Sequence, residues 1–184
     1  MYFPGHVGIA LLCFTPVAIL LHRYGLRRAV RVGTVGFLLT ASAPDVDLYL
    51  AAVPHRGVTH TATAAVAVGV LFGVVGALTR APGFRRRRYD FFFTSLVGAV
   101  GIGTHLLGDV VTPMGIRPFA PLFDAHYTLS LVRASDPTVN AGLLAAGLTT
   151  YRLHGDVARL LDRAPLATNR ESVATVGETD NDPV

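Results

Sequence analysis

The sequence predicts an all-α fold, a polytopic membrane bundle of four to five transmembrane helices. The 184-residue chain is 51% hydrophobic with a mean hydropathy of +0.48, and only 15% of its residues are charged, whereas soluble domains carry about a quarter. Its apolar residues fall in long runs, and its arginines fall between those runs in an alternating pattern. This composition excludes a disordered chain, a basic nucleic-acid-binding domain and a disulfide-rich secreted scaffold.

Five apolar segments are candidate spans, because crossing roughly 30 Å of hydrocarbon takes about 20 apolar residues. In chain order they are residues 7–21, 32–53, 61–79, 91–107 and 138–153. The third carries no charge, and His105 is the only ionisable side chain in the fourth. The second contains Asp45 and Asp47, and the fifth is interrupted by Asn140 and Arg152. Whether the fifth segment spans the membrane or lies on its surface stays open.

The two ends of the chain are interpreted from their flanking residues. Residues 7–21 lack a basic region before the apolar run and a small-residue cleavage site, so we interpret them as a retained helix and not a signal peptide. The apolar pattern is lost after Pro165. We therefore predict a membrane-embedded domain over residues 1–164 and a disordered polar cytoplasmic tail over residues 165–184.

The arginines predict the orientation, because cytoplasmic loops are rich in basic residues. All 16 basic residues are arginines, and 13 of them lie in the first and third connections and the C-terminal segment. Only Arg56, Arg117 and Arg133 lie in the second and fourth connections. This predicts a multi-pass protein of the plasma or inner membrane, with its N-terminus outside and its C-terminus in the cytoplasm. The basic loops, including residues 85–88, then need no nucleic-acid partner.

Two smaller features have structural interpretations. The series Gly69, Gly73 and Gly76 predicts close helix packing in the third segment. The single cysteine, Cys13, lies in an apolar run, so we expect a buried thiol.

Histidine and aspartate side chains collect near the predicted outer ends of the spans. Ionisable groups at membrane depth cost several kcal/mol, so they usually pair or mark a functional site. Four separate stretches deliver them to this face, together with one arginine: His6, Asp45, Asp47, His55, Arg56, His60, His105 and Asp109. Imidazoles and carboxylates together are ligands for zinc, manganese or iron.

Spacing suggests how some of these groups meet. His105 and Asp109 are four residues apart, which places them on one helix face about one turn apart. We expect His60 in the first turn of the third helix, with Thr59 as its N-cap. Each group also has a structural interpretation. Asp45 and Asp47 could cap a helix or form ion pairs with Arg56, and His105 with Asp109 could form an intrahelical hydrogen bond. Their coincidence at one membrane face favours a metal site.

The motifs at these positions resemble a known family. His6, the PDVD stretch at Asp45, HRGVTH ending at His60 and HLLGDVVTPMG, which begins at His105, resemble the YdjM-like membrane-bound metal-dependent hydrolases. The likeness runs from about Pro4 to Pro121. More distantly, the order of these residues is similar to that in the zinc-dependent phospholipase C and single-strand nuclease superfamily. That likeness implies metal ligands, which in this chain are His6, Asp45, His60, His105 and Asp109.

The resemblance implies a metal-dependent hydrolase of an ester or phosphoester, with a lipid among the candidate substrates. We expect one or two divalent ions, zinc first, with manganese or iron as alternatives. His126 is the residue available as a further ligand. Asp47 is predicted to orient a ligand or act as general base, His55 to donate a proton and Arg56 to clamp an anion. Alternatively, the same cluster serves a non-enzymatic metal-binding membrane protein, either a transport component or a structural scaffold.

Overall fold

The computed structural model describes residues 1–163, which form five α-helices. The helices are α1 (Phe3–Arg23), α2 (Arg27–Ser42), α3 (Ala62–Thr79), α4 (Arg87–Val110) and α5 (Pro137–Arg163). Two 3₁₀ helices, Pro44–Tyr49 and Val58–His60, lie between α2 and α3. Within residues 1–163 there is no strand, and a single bridge joins Ile116 to Tyr127. The all-α prediction is confirmed.

Three helices are long and apolar enough to cross a membrane, namely α1, α3 and α4. On α3, Val66 is 63% and Leu78 is 67% exposed, which suits a helix surrounded by lipid. The 16 residues of α2 extend only about 24 Å at 1.5 Å per residue. The 27-residue α5 is long, but it carries charges along its second half, among them Arg152 and Asp156. The count of four to five spans therefore stays a prediction.

The central helix of the bundle is α4, which packs against α1, α2 and α3, while α1 also packs against α2 and α5. Glycines allow the closest of these approaches. A Cβ added to Gly73 would lie 2.1 Å from Ser95 Oγ, and one added to Gly76 would lie 2.1 Å from Thr94 Oγ1. The predicted role of Gly69, Gly73 and Gly76 in helix packing is confirmed.

Successive helices alternate in direction, so every second connection lies at the same end of the bundle. The two ends carry different side chains. The histidines and aspartates of interest lie where α1 begins and α4 ends, which we name the site end. The arginine-rich connections lie at the other end. There the buried carboxylate of Asp90 pairs with Arg80 Nη1 at 2.7 Å and accepts a hydrogen bond from Phe84 N at 3.0 Å. The ion pair closes the connection between α3 and α4.

Two expectations differ from the structure. Residues 32–53 do not form one helix: α2 ends at Ser42, because Pro44 has no N–H to continue the α-helical hydrogen bonding and instead begins a 3₁₀ helix. Cys13 is exposed, since in a membrane helix the side facing lipid is as apolar as the side facing the core. The predicted tail over residues 165–184 lies outside the described residues.

Candidate metal centre

The last turns of α4 present His105 and Asp109 side by side, as their four-residue spacing predicts. Both side chains are buried. His105 Nδ1 lies 2.8 Å from the backbone oxygen of Ala41 in α2. Because a carbonyl oxygen only accepts, Nδ1 carries the proton of this hydrogen bond, and Nε2 of the neutral imidazole keeps a free lone pair.

The segment between α2 and α3 brings three more groups to the same place. Asp45 and Asp47 lie in the first 3₁₀ helix, and His60 ends the second. The expectation that His60 lies in the first turn of α3 with Thr59 as N-cap is wrong. Thr61 has an extended backbone that separates His60 from α3, and its side chain caps the helix.

The hydroxyl of Thr59 sets the tautomer of His60. Thr59 Oγ1 donates to Asp47 Oδ2 at 2.8 Å, because a carboxylate only accepts. The same oxygen lies 2.9 Å from His60 Nδ1. Since the hydroxyl proton is already committed to Asp47, His60 Nδ1–H must be the donor in this second hydrogen bond. His60 Nε2 therefore keeps a free lone pair, as His105 Nε2 does.

Four potential ligand atoms from His60, His105, Asp45 and Asp109 lie within 4.8 Å of one another. The two Nε2 atoms are 3.0 Å apart. His60 Nε2 lies 3.5 Å from Asp45 Oδ1 and 3.4 Å from Asp109 Oδ2. For His105 Nε2 the corresponding distances are 3.4 and 3.5 Å. We name these four residues the His–Asp cluster.

The His–Asp cluster fits a metal ion in both size and chemistry. In a tetrahedral zinc site with bonds of roughly 2.0–2.1 Å, neighbouring ligand atoms lie about 3.3–3.4 Å apart. The five distances given above, 3.0–3.5 Å, bracket this value. With both imidazoles neutral and their tautomers set by Ala41 and Thr59, all four atoms are acceptors. Such an arrangement is repulsive until a positive charge lies among them, either a metal ion or a second proton on an imidazole.

Asp47 is a hydrogen-bond acceptor beside the His–Asp cluster and not a member of it. Its buried carboxylate lies 2.8 Å from His55 Nδ1 and accepts from Arg56 N at 3.1 Å. Burial alone would raise the pKa of Asp47, but the hydrogen bonds from His55 and Thr59 outweigh that effect and lower the pKa. Because Asp47 lies in the connection beyond α2, outside the spanning helices, its charge is retained at neutral pH.

Asp45 is the most accessible member of the His–Asp cluster, with 24% of its side chain exposed. Burial opposes its ionisation, but hydrogen bonds from the imidazoles of His105 and His60, when these rings carry a second proton, hold the pKa of Asp45 well below its ordinary value. Asp45 also lies beyond the end of α2. Its carboxylate is therefore charged, as a metal ligand must be.

Arg56 supports the His–Asp cluster from the side. Its Nη2 donates to Asp109 Oδ1 at 2.9 Å, and its Nη1 donates to Gly115 O at 2.8 Å and to Thr112 Oγ1 at 3.2 Å. The backbone of Arg56 has a left-handed φ of 59°. The predicted anion clamp thus donates to a carboxylate of the His–Asp cluster, although its buried Nε lacks a hydrogen-bond partner within residues 1–163. Its contact with substrate stays a prediction.

His6 lies next to the His–Asp cluster but outside the set of four converging atoms. Its ring stacks on His105, and its Nε2 lies 3.5 Å from Asp109 Oδ1. Within residues 1–163 neither ring nitrogen of His6 has a hydrogen-bond partner. The amino group of Met1 also contacts Asp109. The structure thus brings all five predicted ligands together but makes four of them converge.

A comparison with protein-family models identifies the chain. The model of the YdjM inner membrane protein family matches residues 1–171. The chain belongs to this family. The family description and the three apolar helices together make it a membrane protein. Neither a curated protein nor a solved structure matches the chain.

In this YdjM family member, the further ligand that the sequence offered, His126, lies outside the site. His126 is exposed, and its Nε2 bonds the backbone oxygen of Met114, so it does not join the His–Asp cluster. Sequence reasoning missed the Ala41 carbonyl and the part that the Thr59 hydroxyl plays. A backbone oxygen leaves no signal in a sequence. A threonine directly before a ligand histidine is a usable signal.

Proposed function

We propose that this protein is a membrane-bound metal-dependent hydrolase that acts on an ester or phosphoester at the non-cytoplasmic membrane surface. The observation that carries the proposal is the convergence of four lone-pair atoms at tetrahedral zinc spacing in the His–Asp cluster. Membership of an inner membrane protein family supports the membrane location. The alternating arginines support the orientation.

The proposed cofactor is zinc, held by His60, His105, Asp45 and Asp109. When bound, such an ion would supply a Lewis acid, and near neutral pH it would activate a water that joins the four side chains as a fifth ligand or replaces one of them. Asp45 is the most exposed member of the cluster, so a substrate would reach the ion past the Asp45 carboxylate. Arg56 keeps Asp109 in place through its Nη2 donor.

His55 and Asp47 form the proton-handling pair of the proposed reaction. Asp47 Oδ1 holds His55 Nδ1 at 2.8 Å, which leaves Nε2 of the partly exposed imidazole free to face a substrate. In the hydrolysis, the oxygen of water bonds to the acyl carbon or phosphorus and the bond to the alcohol oxygen breaks. His55 Nε2 takes a proton from the water and returns one to the departing alcohol.

A second candidate is a non-enzymatic metal-binding membrane protein. It uses the same His–Asp cluster, and the contacts between ligands alone do not separate the two candidates. The place of the cluster favours the enzyme. A transport path needs polar groups near the bilayer midplane, whereas here the ionisable groups gather at the site end.

Metal-dependent turnover by the detergent-purified protein tests the proposal. A panel of chromogenic carboxyl esters, phosphomonoesters and phosphodiesters is assayed before chelation, after chelation and after zinc is restored. We expect hydrolysis of at least one class, its loss on chelation and its recovery with zinc. The Asp45→Asn variant should lose about 100-fold or more in kcat, because it removes a ligand while nearly conserving shape.

His154→Gln is the matched control, since His154 lies in α5 near the arginine end and should keep full turnover. Size-exclusion profiles of each variant separate loss of chemistry from loss of fold. Stoichiometric zinc without turnover of any ester would favour the metal-binding alternative. Turnover that survives both chelation and Asp45→Asn would contradict the proposal.

A further inference from the structure

Two clefts of different chemistry meet beside the His–Asp cluster. One, of about 550 Å³, is lined by the polar residues Arg117, Asp124 and His126 beside apolar residues that include Val58 and Ile116, and we name it the Arg117 cleft. The other, of about 710 Å³, is lined by Tyr2, Phe3, Val46, Leu48 and Tyr49 and includes Asp45, and we name it the Tyr49 cleft. His55, Arg56 and Met114 line both clefts.

The Tyr49 cleft is an apolar surface open to the surroundings. Tyr49 is 87% and Phe3 is 62% exposed, and Leu48 is similarly open. The cleft lies at the start of α1, one of the candidate spans, and exposed tyrosines are typical of the boundary between lipid and water. An apolar chain that occupies the Tyr49 cleft would lie beside Asp45.

The Arg117 cleft offers a cation for a charged ligand. Arg117 Nη1 lies 3.1 Å from Asp124 Oδ1, and both side chains are mostly exposed. Exposed pairs of this kind contribute roughly 0–1 kcal/mol, so an incoming anion readily replaces Asp124. The loop that carries Arg117 is fixed by two hydrogen bonds of 2.9 Å between the backbones of Ile116 and Tyr127. The backbone that carries Arg117 is therefore fixed at the rim of the cleft.

We propose that the substrate is an amphiphile whose apolar chain lies in the Tyr49 cleft and whose anionic group, on the other side of the reacting ester, binds Arg117. The proposal rests on the proposed function, because the reacting bond is placed where the two clefts meet, at His55 and the His–Asp cluster. A small water-soluble ester would leave the Tyr49 cleft unused. A wholly apolar ester would leave Arg117 without a ligand.

Four phosphodiester probes test this in mixed micelles. They combine a palmityl or a butyl chain on one alcohol with a carboxylate or its neutral amide on the other. Turnover is followed by mass spectrometry of the product. We expect kcat/KM to be about tenfold or more higher for the palmityl probes, since each buried methylene contributes about 0.8 kcal/mol. Arg117→Gln should lower kcat/KM about tenfold for the carboxylate probes and leave the amide probes unchanged.

Matched variants control for general damage. Arg133→Gln removes an exposed arginine of the same end that lies outside the cleft, and it should keep the preference for the carboxylate. Tyr49→Ser should reduce the preference for palmityl, whereas Tyr24→Ser, at the arginine end, should not. The Asp45→Asn protein allows binding to be measured without turnover. It should bind the palmityl probes more tightly than the butyl probes, and the carboxylate probes more tightly than the amide probes.

The outcomes separate this proposal from the proposed function. Equal binding and equal turnover of all four probes would overturn the amphiphile proposal and leave the hydrolase standing. Absence of turnover with the expected order of binding would contradict the hydrolase and keep the ligand class. A preference for the carboxylate probes over the amide probes that Arg117→Gln leaves unchanged would overturn the anion assignment to Arg117.

Discussion

The imidazole of His6 stacks on that of His105, with ring centroids 3.8 Å apart and planes inclined by 12°. The stack joins the start of α1 to the end of α4, so it fixes the position of His105 from a second helix. It also leaves the ring nitrogens of His6 outside the four converging atoms. His6 is therefore described best as a positioning residue for His105.

Replacing His6 with phenylalanine tests that description. His6→Phe keeps an aromatic ring against His105 and removes both ring nitrogens. We expect the purified variant to keep one zinc per chain and to bind it within a few-fold of the original affinity. Elemental analysis by mass spectrometry measures the zinc content per chain. A His6→Phe protein that binds no zinc would show that His6 is an obligatory ligand.

Asp47 is expected to act on the metal through His60. Asp47→Asn keeps the size of the side chain but removes the acceptor pair that orders Thr59, His60 and His55. Zinc affinity should fall about 10–100-fold, the usual effect of losing a partner of a ligand histidine. A competition titration with a chromogenic chelator gives the affinity. Asp124→Asn, which changes an exposed carboxylate of the same end, is the control and should leave the affinity unaltered.

The close contact of α1 with α5 depends on glycine. A Cβ added to Gly8 would lie 2.3 Å from the backbone oxygen of Leu143, and backbone atoms cannot move aside as a side chain can. Gly8→Ala should therefore destabilise the bundle by about 1–3 kcal/mol. A Cβ added to Gly142 meets nothing within 4 Å, so Gly142→Ala should be neutral or slightly stabilising. Thermal unfolding in detergent compares the two, and equal unfolding temperatures would contradict this packing.

The ion pair of Arg80 with Asp90 should be important for stability and not for metal binding. Asp90→Ala leaves Phe84 N without its acceptor and Arg80 without its counterion. We expect a loss of roughly 1–3 kcal/mol in unfolding free energy, seen as a lower unfolding temperature. Metal content should not change, because the pair lies at the arginine end. Loss of zinc in a folded Asp90→Ala protein would show coupling between the two ends that the structure does not explain.

Much of the site could be predicted from sequence because membrane proteins make ionisable residues conspicuous. His105 and Asp109 stand out in an apolar segment, and their helical spacing determines that they are neighbours. The alternation of spans then places Asp45 and His60 at the same end. None of this requires knowing the side-chain packing.

The remainder depends on tertiary contacts that leave no periodic pattern. The hydropathy pattern does not reveal the end of α2 at Ser42, because the sequence remains apolar up to Pro44. The partner of Arg56 is Asp109, which lies 53 residues further along the chain, and local spacing says nothing about such a pair. The side of α1 on which Cys13 lies is equally hidden, because lipid and protein interior select the same apolar residues.

X-ray absorption spectroscopy at the zinc edge tests whether the His–Asp cluster is the metal centre. On the purified, zinc-loaded protein, we expect four nitrogen and oxygen neighbours at about 2.0–2.1 Å, two of them with the outer-shell signal of imidazole. His60→Ala and His105→Ala should each remove one imidazole from that signal, while His154→Ala should leave the spectrum unchanged. A six-coordinate, water-rich ion, or a spectrum unaltered by both His60→Ala and His105→Ala, would contradict the assignment of the His–Asp cluster as a metal centre.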